Sequence, residues 1–393
     1  MLLGASATAL WINRAQAIST LYRWFSPSPR MRDALRPVAD TLVPDWRRDS
    51  GWPRSRYSAA WRISELRKLG KPPFLVVGGV YLDISIRPVR VSKLEDNEFY
   101  DLDTPVVGCG GSALHFGQEL YRRAGIKSRL YTRLGKSDQL RAIIRREPWI
   151  RGRRPRIDRG GQSGVSLHLI QDEGQFHTTF THTGVVARLS WSDIKHHIGR
   201  RAQRGGVLYI AGFFRTGLCV DLRETLARFP YKLLVCLEHG RFKAKANPSA
   251  NAALQLAFEE QLVDVYLCTD AELCELMSAC GLVVDRRNGP AAALTYFARQ
   301  RTPPQIVVVR SRAGDGTALA HVLFGGEVFE VAGQGAPPPH GIGSKGRFMA
   351  TFVHELVTGR PDEDPRRVVV HAAEQAVQSW VGHNRKERDV SPR

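Results

Sequence analysis

Leu233-Leu234-Val235-Cys236-Leu237 is an unbroken apolar run, too short for a buried helix and long enough for a strand covered on both faces. Runs of the same kind stand at 207–211 and 306–309, and 263–267 is one interrupted only by Asp264. Helical patterns fill the gaps near 221–228, 249–259, 270–279 and 289–300. Strand and helix alternating in this way predict a parallel sheet with helices on both sides. Working outward, Phe74-Leu75-Val76-Val77-Gly78-Gly79 reads as the first buried strand and its turn, where the folded domain is expected to begin. Gly108-Cys109-Gly110-Gly111 leads into a helix over 112–124, which Gly125 ends. Leu130-Tyr131-Thr132-Arg133-Leu134 reads as one strand, and 165–170 with 175–181 as a hairpin around Asp172-Glu173-Gly174. Helices over 345–358 and 365–381 close the domain, and no internal repeat is present.

The stretch Pro338-Pro339-His340-Gly341-Ile342-Gly343-Ser344-Lys345-Gly346-Arg347-Phe348-Met349-Ala350 carries the chemistry. It resembles the T-G-A-G-D-x-F-x-A signature of the PfkB/ribokinase family of carbohydrate and nucleoside kinases. The resemblance spans about residues 74–382. It implies an α/β fold: a ribokinase-like three-layer α/β/α sandwich with a mostly parallel central sheet and a small β lid near 84–107 and 160–184. In that family the Asp of the signature is the catalytic base. Aligned on the glycines, its place is taken by Ser344; aligned on F-x-A, by Gly346. Neither is a carboxylate, so the resemblance is to a degenerate member, and no catalytic residue is expected.

Other positions follow from the same resemblance. Asp83, after Leu75-Val76-Val77-Gly78-Gly79-Val80-Tyr81-Leu82, stands where the family binds substrate hydroxyls. Gly110 and Gly111 match its G-G pair, with His115 where that motif has Asn. Glu272 keeps the Glu of an N-x-x-E segment that organises magnesium through water, with Thr269 replacing the Asn. Arg310 and Arg312 lie where the family places small residues against the nucleotide. If binding survives, Asp83, Gly110, Gly111 and His115 would hold substrate. Glu272, Gly341, Gly343, Ser344 and Lys345 would hold a nucleotide or other anion, since a glycine turn at a helix start offers free N–H groups. ATP and magnesium are then expected only if the kinase site works; otherwise no cofactor is. His340 is a conceivable substitute base, and Glu355 points elsewhere along its helix.

The formal charge of +19 on 393 residues is unusual for a metabolic enzyme and favours polyanionic partners. Residues 1–72 read as a basic, aromatic extension broken by prolines, with short helices over 30–42 and 56–69. Trp46, Trp52, Tyr57 and Trp61 lie among its basic residues; the segment either docks on RNA or a protein neighbour, or folds back on its own domain. Within it, 1–32 holds Arg14, Arg23, Arg30 and Arg32 and no acid, the composition of an import peptide. The expected location is the mitochondrial matrix, with the plastid second. A cluster of Arg141, Arg145, Arg146, Arg151, Arg153, Arg154, Arg156 and Arg159 surrounds Trp149 and reads as a phosphate-binding surface. Residues 385–393 are a charged tail.

No apolar run reaches the roughly 18 residues of a membrane span. The six cysteines form no C-x-x-C pair and read as free thiols, and the histidines carry no metal-binding pattern. Together these readings favour a non-enzymatic binding or scaffold component of an organellar ribonucleoprotein, such as a ribosome or its assembly intermediate. The alternatives are an active sugar or nucleoside kinase with an atypical base, and a nucleotide-binding regulator. The resemblance also raises dimerisation through the lid.

Overall fold

The computed structural model describes residues 57–86, 104–136, 139–151, 156–158, 160–170, 177–240, 247–282, 289–300, 302–337 and 343–382. The expected helix over 30–42, the import segment, His340, Gly341 and the tail lie outside them. The described part opens with helix α1 (Ala59–Lys68), capped by Ser58. Strands β1 (Phe74–Gly78), β2 (Tyr81–Ile86) and β3 (Val106–Gly110) follow. Helix α2 (Ser112–Ala124) ends on left-handed Gly125, as its sequence signals. Next come β4 (Arg129–Tyr131), β5 (Arg133–Gly135), α3 (Gln139–Arg146), β6 (Arg156–Asp158), β7 (Gly164–Ile170) and β8 (His177–His182). The alternating half contains α4 (Trp191–Arg201), β9 (Gly206–Ala211), α5 (Leu222–Ala227), β10 (Leu233–Glu238), α6 (Pro248–Glu259), β11 (Val265–Thr269), α7 (Asp270–Ala279), α8 (Gly289–Gln300) and β12 (Ile306–Arg312). The chain closes with β13 (Ala318–Phe324), β14 (Glu327–Ala332), α9 (Ser344–Val357) and α10 (Pro365–Val381).

The central sheet has the order β14-β13-β12-β11-β10-β9-β1-β4. From β12 to β4 its pairs are parallel; β12, β13 and β14 are antiparallel. Alternate strand residues feed two separate cores. Val76, Tyr209, Cys236, Leu267 and Val308 face α1, α2, α9 and α10. Val77, Ile210, Leu237, Cys268 and Val309 face α4 to α8. That is why the strands read as unbroken apolar runs. The three-layer sandwich expected from the sequence is what forms.

A second sheet, β3-β2-β7-β8, stands apart as the lid. Its register sets Ile84, Val107, Leu167 and Phe180 in one row, with Val107 and Phe180 exposed. The neighbouring row of Asp83, Gly108, Ser166 and Thr181 lies on the other face.

Two expectations are corrected and one element is added. The single strand over 130–134 is two short ones in different sheets, broken at Thr132. The β13–β14 hairpin was not anticipated; it turns at Gly325-Gly326, both in the left-handed region. The helix expected over 56–69 belongs to the domain rather than to an extension ending at 72: Ala59, Ile63 and Leu66 lie in the core. Arg62 and Arg67 anchor it. Arg62 pairs with Asp264 at 2.5 Å and donates to the Tyr231 carbonyl. Arg67 reaches the carbonyls of Glu355, Leu356 and Arg360 and the Glu363 carboxylate.

Candidate functional site

The carboxyl ends of parallel strands are where an open α/β sheet gathers its functional groups. Here that edge collects Gly78, Glu238, Thr269 and Arg310, and α9 begins beside it. Gly343 is the left-handed residue before α9, at φ 84°, and Ser344 and Lys345 open the helix.

Lys345 is the centre of the site. Its Nζ lies 2.7 and 2.9 Å from the two Glu272 carboxylate oxygens and 3.0 Å from Glu238 Oε1. Glu238 ends an otherwise apolar strand and is fully buried. Its other oxygen accepts from the Tyr209 hydroxyl at 2.6 Å. Glu272 also closes the first turn of α7, accepting from the Thr269 N–H at 2.8 Å while Thr269 accepts from the Glu272 N–H. Burial alone would raise the Glu272 carboxyl, but Lys345, His239 and the Thr269 N–H outweigh it and hold it at about 2. Burial would likewise lower Lys345, yet Glu238 and Glu272 raise it. Both groups are therefore charged at neutral pH.

The two registers for the missing carboxylate part here. Ser344 opens α9 and its Oγ accepts from Arg310 at 3.2 Å. Gly346 sits where α9 crosses α2: a Cβ there would fall 2.6 Å from the His115 Cβ and 3.1 Å from its carbonyl carbon. Gly346→Ala is expected to destabilise the protein by about 1–3 kcal/mol through overpacking, read from denaturant melts. No change would show that the two helices separate freely. Arg310 also stacks on Trp380 at 4.5 Å, tying the α9 start to α10.

The lid side holds Asp83, Gly110, Gly111 and His115. A Cβ on Gly110 would lie 1.6 Å from Asp83 Oδ2, so the carboxylate rests on that glycine. Tyr81 packs against three more. Added Cβ atoms at Gly79, Gly111 and Gly164 would come within 2.6, 2.9 and 2.5 Å of its ring or hydroxyl. The glycine pair thus seats the protein's own Asp83 and Tyr81. Asp83 Oδ2 is 3.4 Å from His168 Nε2, and His168 Nδ1 is 3.1 Å from the Thr179 hydroxyl. Burial raises the Tyr81 phenol, opposed by Arg215. Burial also holds the His115 imidazole below its ordinary value, against Asp83 and Glu238. His115 borders Gly343, whose added Cβ would meet its Nδ1 at 3.3 Å.

The structure therefore brings together Asp83, Gly110, Gly111, His115, Glu272, Gly343, Ser344 and Lys345. Sequence reasoning missed Tyr81, His168, Tyr209 and Glu238. Only Glu238 left a trace, as a carboxylate closing an apolar run. Glu355 points away, as expected, to Arg123 at 2.8 Å. The arginine cluster is divided. Arg145, Arg146 and Arg151 are exposed, whereas Arg141 is half-buried and donates to the Lys136 carbonyl. Arg156 lies in β6, while Arg153, Arg154 and Arg159 fall outside the described residues. Trp149 is core: its ring presses on Gly117 and its Nε1 donates to Glu147. Among the described residues no group of three or more His, Cys, Asp or Glu is placed to hold a metal ion, and no helix is long and apolar enough to cross a membrane.

The sequence matches no protein-family model and no curated protein. Solved structures match through the fold. An adenosine kinase from Sinorhizobium meliloti aligns with TM-score 0.59 at 16% identity, covering 80% of this chain and 94% of that one. A ribokinase from Arabidopsis thaliana, solved with ribose and ATP, aligns at 0.56 and 16%, covering 78% and 92%. Phosphofructokinase-2 from Escherichia coli aligns at 0.56 and 14%, covering 79% and 93%. At such identities the likeness establishes the fold: this is a ribokinase-like α/β domain with a small lid sheet.

Proposed function

We propose that this chain is a catalytically degenerate ribokinase-fold protein that serves as a binding or scaffold component of a larger assembly. One observation carries the reading: the Lys345 ammonium is lodged between Glu238 and Glu272. Phosphoryl transfer in this fold depends on positioned metal and a base. The residues present do not fit magnesium. Both oxygens of Glu272 are engaged by a fixed cation, and one also accepts the cap N–H. No carboxylate stands at Ser344 or Gly346, and the substrate glycines carry Tyr81 and Asp83 instead.

The host we propose is a ribonucleoprotein of the mitochondrial matrix, or of the plastid, such as a ribosome or its assembly intermediate. The charge of +19 and the acid-free, arginine-bearing start support this. The lid row of Val107 and Phe180 is apolar and exposed, and we assign it to a protein neighbour or a second copy.

The test is thermal stabilisation by magnesium-ATP, with ATP loss followed in the same tubes against a panel of sugars and nucleosides. We expect neither stabilisation nor loss. Stabilisation without loss would replace the scaffold with a nucleotide-binding regulator. Substrate-dependent loss abolished by Asp83→Ala would make the protein a kinase with an atypical base.

A further inference from the structure

The opposite edge of the sheet, where the parallel strands begin, is built unlike the candidate site. The end of α1 with the link to β1, the loop before β9 and the loop before β10 meet there, and the loop 359–364, with exposed Asp362, Glu363 and Asp364, is bonded to Ser64 and Arg67 of α1. Their proximity is direct. A Cβ on Gly205 would meet Leu66 at 3.2 Å, Leu69 at 3.5 Å and the Lys232 carbonyl at 3.5 Å, and the Val207 N–H donates to the Pro73 carbonyl. These segments present Lys68, Lys71, Arg201, Arg204 and Arg228, all exposed, and the half-buried Lys232. Glu65 answers two of them, at 2.7 Å from Lys68 and 3.7 Å from Lys232.

Beside the cations lies a stack of three half-buried aromatic rings. Tyr57 is 4.4 Å from Trp61 and 4.9 Å from Tyr231, and Trp61 is 5.7 Å from Tyr231. Arg62 ties two of the three residues together, donating to the Tyr57 carbonyl and to the Tyr231 carbonyl. In sequence, Tyr57 follows an arginine-rich stretch, 45–56, which holds Arg47, Arg48, Arg54 and Arg56 with Trp46 and Trp52, against Asp45 and Asp49.

We infer that this strand-start edge is a docking surface for single-stranded RNA, with the cations tracking phosphates and the Tyr57–Trp61–Tyr231 stack offering a platform for a base. Cations alone would suit any polyanion. An aromatic cluster at their margin suits unpaired bases, which stack on aromatic rings and are held by Lys and Arg along the backbone. The inference rests on the RNA reading above but centres the contact on α1 and the loops before β9 and β10, on the far side of the sheet from Lys345; of the arginine cluster only Arg151, whose N–H donates to the Ser128 carbonyl just before β4, is placed at this edge among the described residues.

The experiment uses the full chain and a fluorescein-labelled oligouridylate of 30 nucleotides, followed by anisotropy between 50 and 200 mM salt. The triple variant Arg201→Glu/Arg204→Glu/Arg228→Glu is expected to raise Kd at least tenfold and to flatten the salt dependence, with an unchanged melting temperature, since all three side chains are exposed. Trp61→Ala should weaken binding about tenfold at every salt concentration, the worth of one stacked base. A comparison triple variant at Arg141, Arg145 and Arg146 should lose less. If that comparison variant loses binding while the edge variants bind as the parent does, the inference fails and the RNA reading stands. If the parent binds no RNA, both fail. Binding to vesicles of anionic lipid without binding to RNA would overturn the inference in favour of a membrane surface.

Discussion

Asp264→Ala is expected to lose about 3–5 kcal/mol of stability, a large share of what holds a domain folded. Arg62 and Asp264 are 0% and 1% exposed, so the variant strands a guanidinium with no water to replace its partner. The damage extends beyond the ion pair. Asp264 Oδ2 also accepts from the Val235 N–H at 2.7 Å, and that donor sits in the middle of the sheet. The measurement is the urea midpoint at constant slope. The double variant Arg62→Met/Asp264→Leu should recover only part of the loss: it removes the stranded charge, but the Val235 N–H and the Tyr57 and Tyr231 carbonyls stay without their partners. A loss under about 1 kcal/mol for Asp264→Ala would mean that α1 is not anchored to the sheet as described.

Lys345→Met is expected to be about as damaging near neutral pH, by about 3–5 kcal/mol, because it leaves Glu238 and Glu272 facing each other without a cation. The sign of its pH dependence follows from the shifts. Glu272 is held at about 2 against an ordinary 4.5, so its contribution is present above 4.5 and is lost as pH falls towards 2. Lys345 is raised above 10.5, so its contribution is present below that and is lost at higher pH. The gap between parent and variant should therefore be widest between about pH 5 and 10. It should close in acid, as the contribution of Glu272 is lost. Melting temperatures from pH 3 to 9 give the test. A gap independent of pH would show that the lysine matters through packing alone. Lys345→Ala, which also frees space, should gain stabilisation by magnesium or manganese that the parent lacks. Its failure to do so would count against the view that the lysine occupies a cation's place.

The alternating half of the chain was legible because its strands are buried on both faces. Residues such as Leu234 and Val235 go to different cores, so the run is apolar throughout and its ends are sharp. The lid was legible through period-two alternation at β7 and β8, and α2 through its glycine stop. The β13–β14 hairpin was harder. Its strands carry His321, Glu327 and Glu330 among apolar residues, and His321 is buried only because Ser311 and Glu330 satisfy it across neighbouring strands. Helix α1 read as part of a basic tail because Arg62 and Arg67 look like surface charge. Only their partners, more than a hundred and sixty positions away, make them core.

For the site, the order of motifs alone determined the fold, the absence of a carboxylate at 344 and 346, and the candidate set around Asp83, Glu272 and the 343–345 turn. Local sequence suffices there, because a glycine turn, an N-cap or a missing functional group is a property of a few adjacent residues. Tertiary structure decided what those residues do to one another. It set Lys345 between Glu272 of α7 and Glu238 at the end of β10, laid Tyr81 over three glycines from different segments, and pressed Gly346 onto His115. Charge pairing and close packing depend on distances between residues remote in the chain, and those distances exist only once the sheet has assembled.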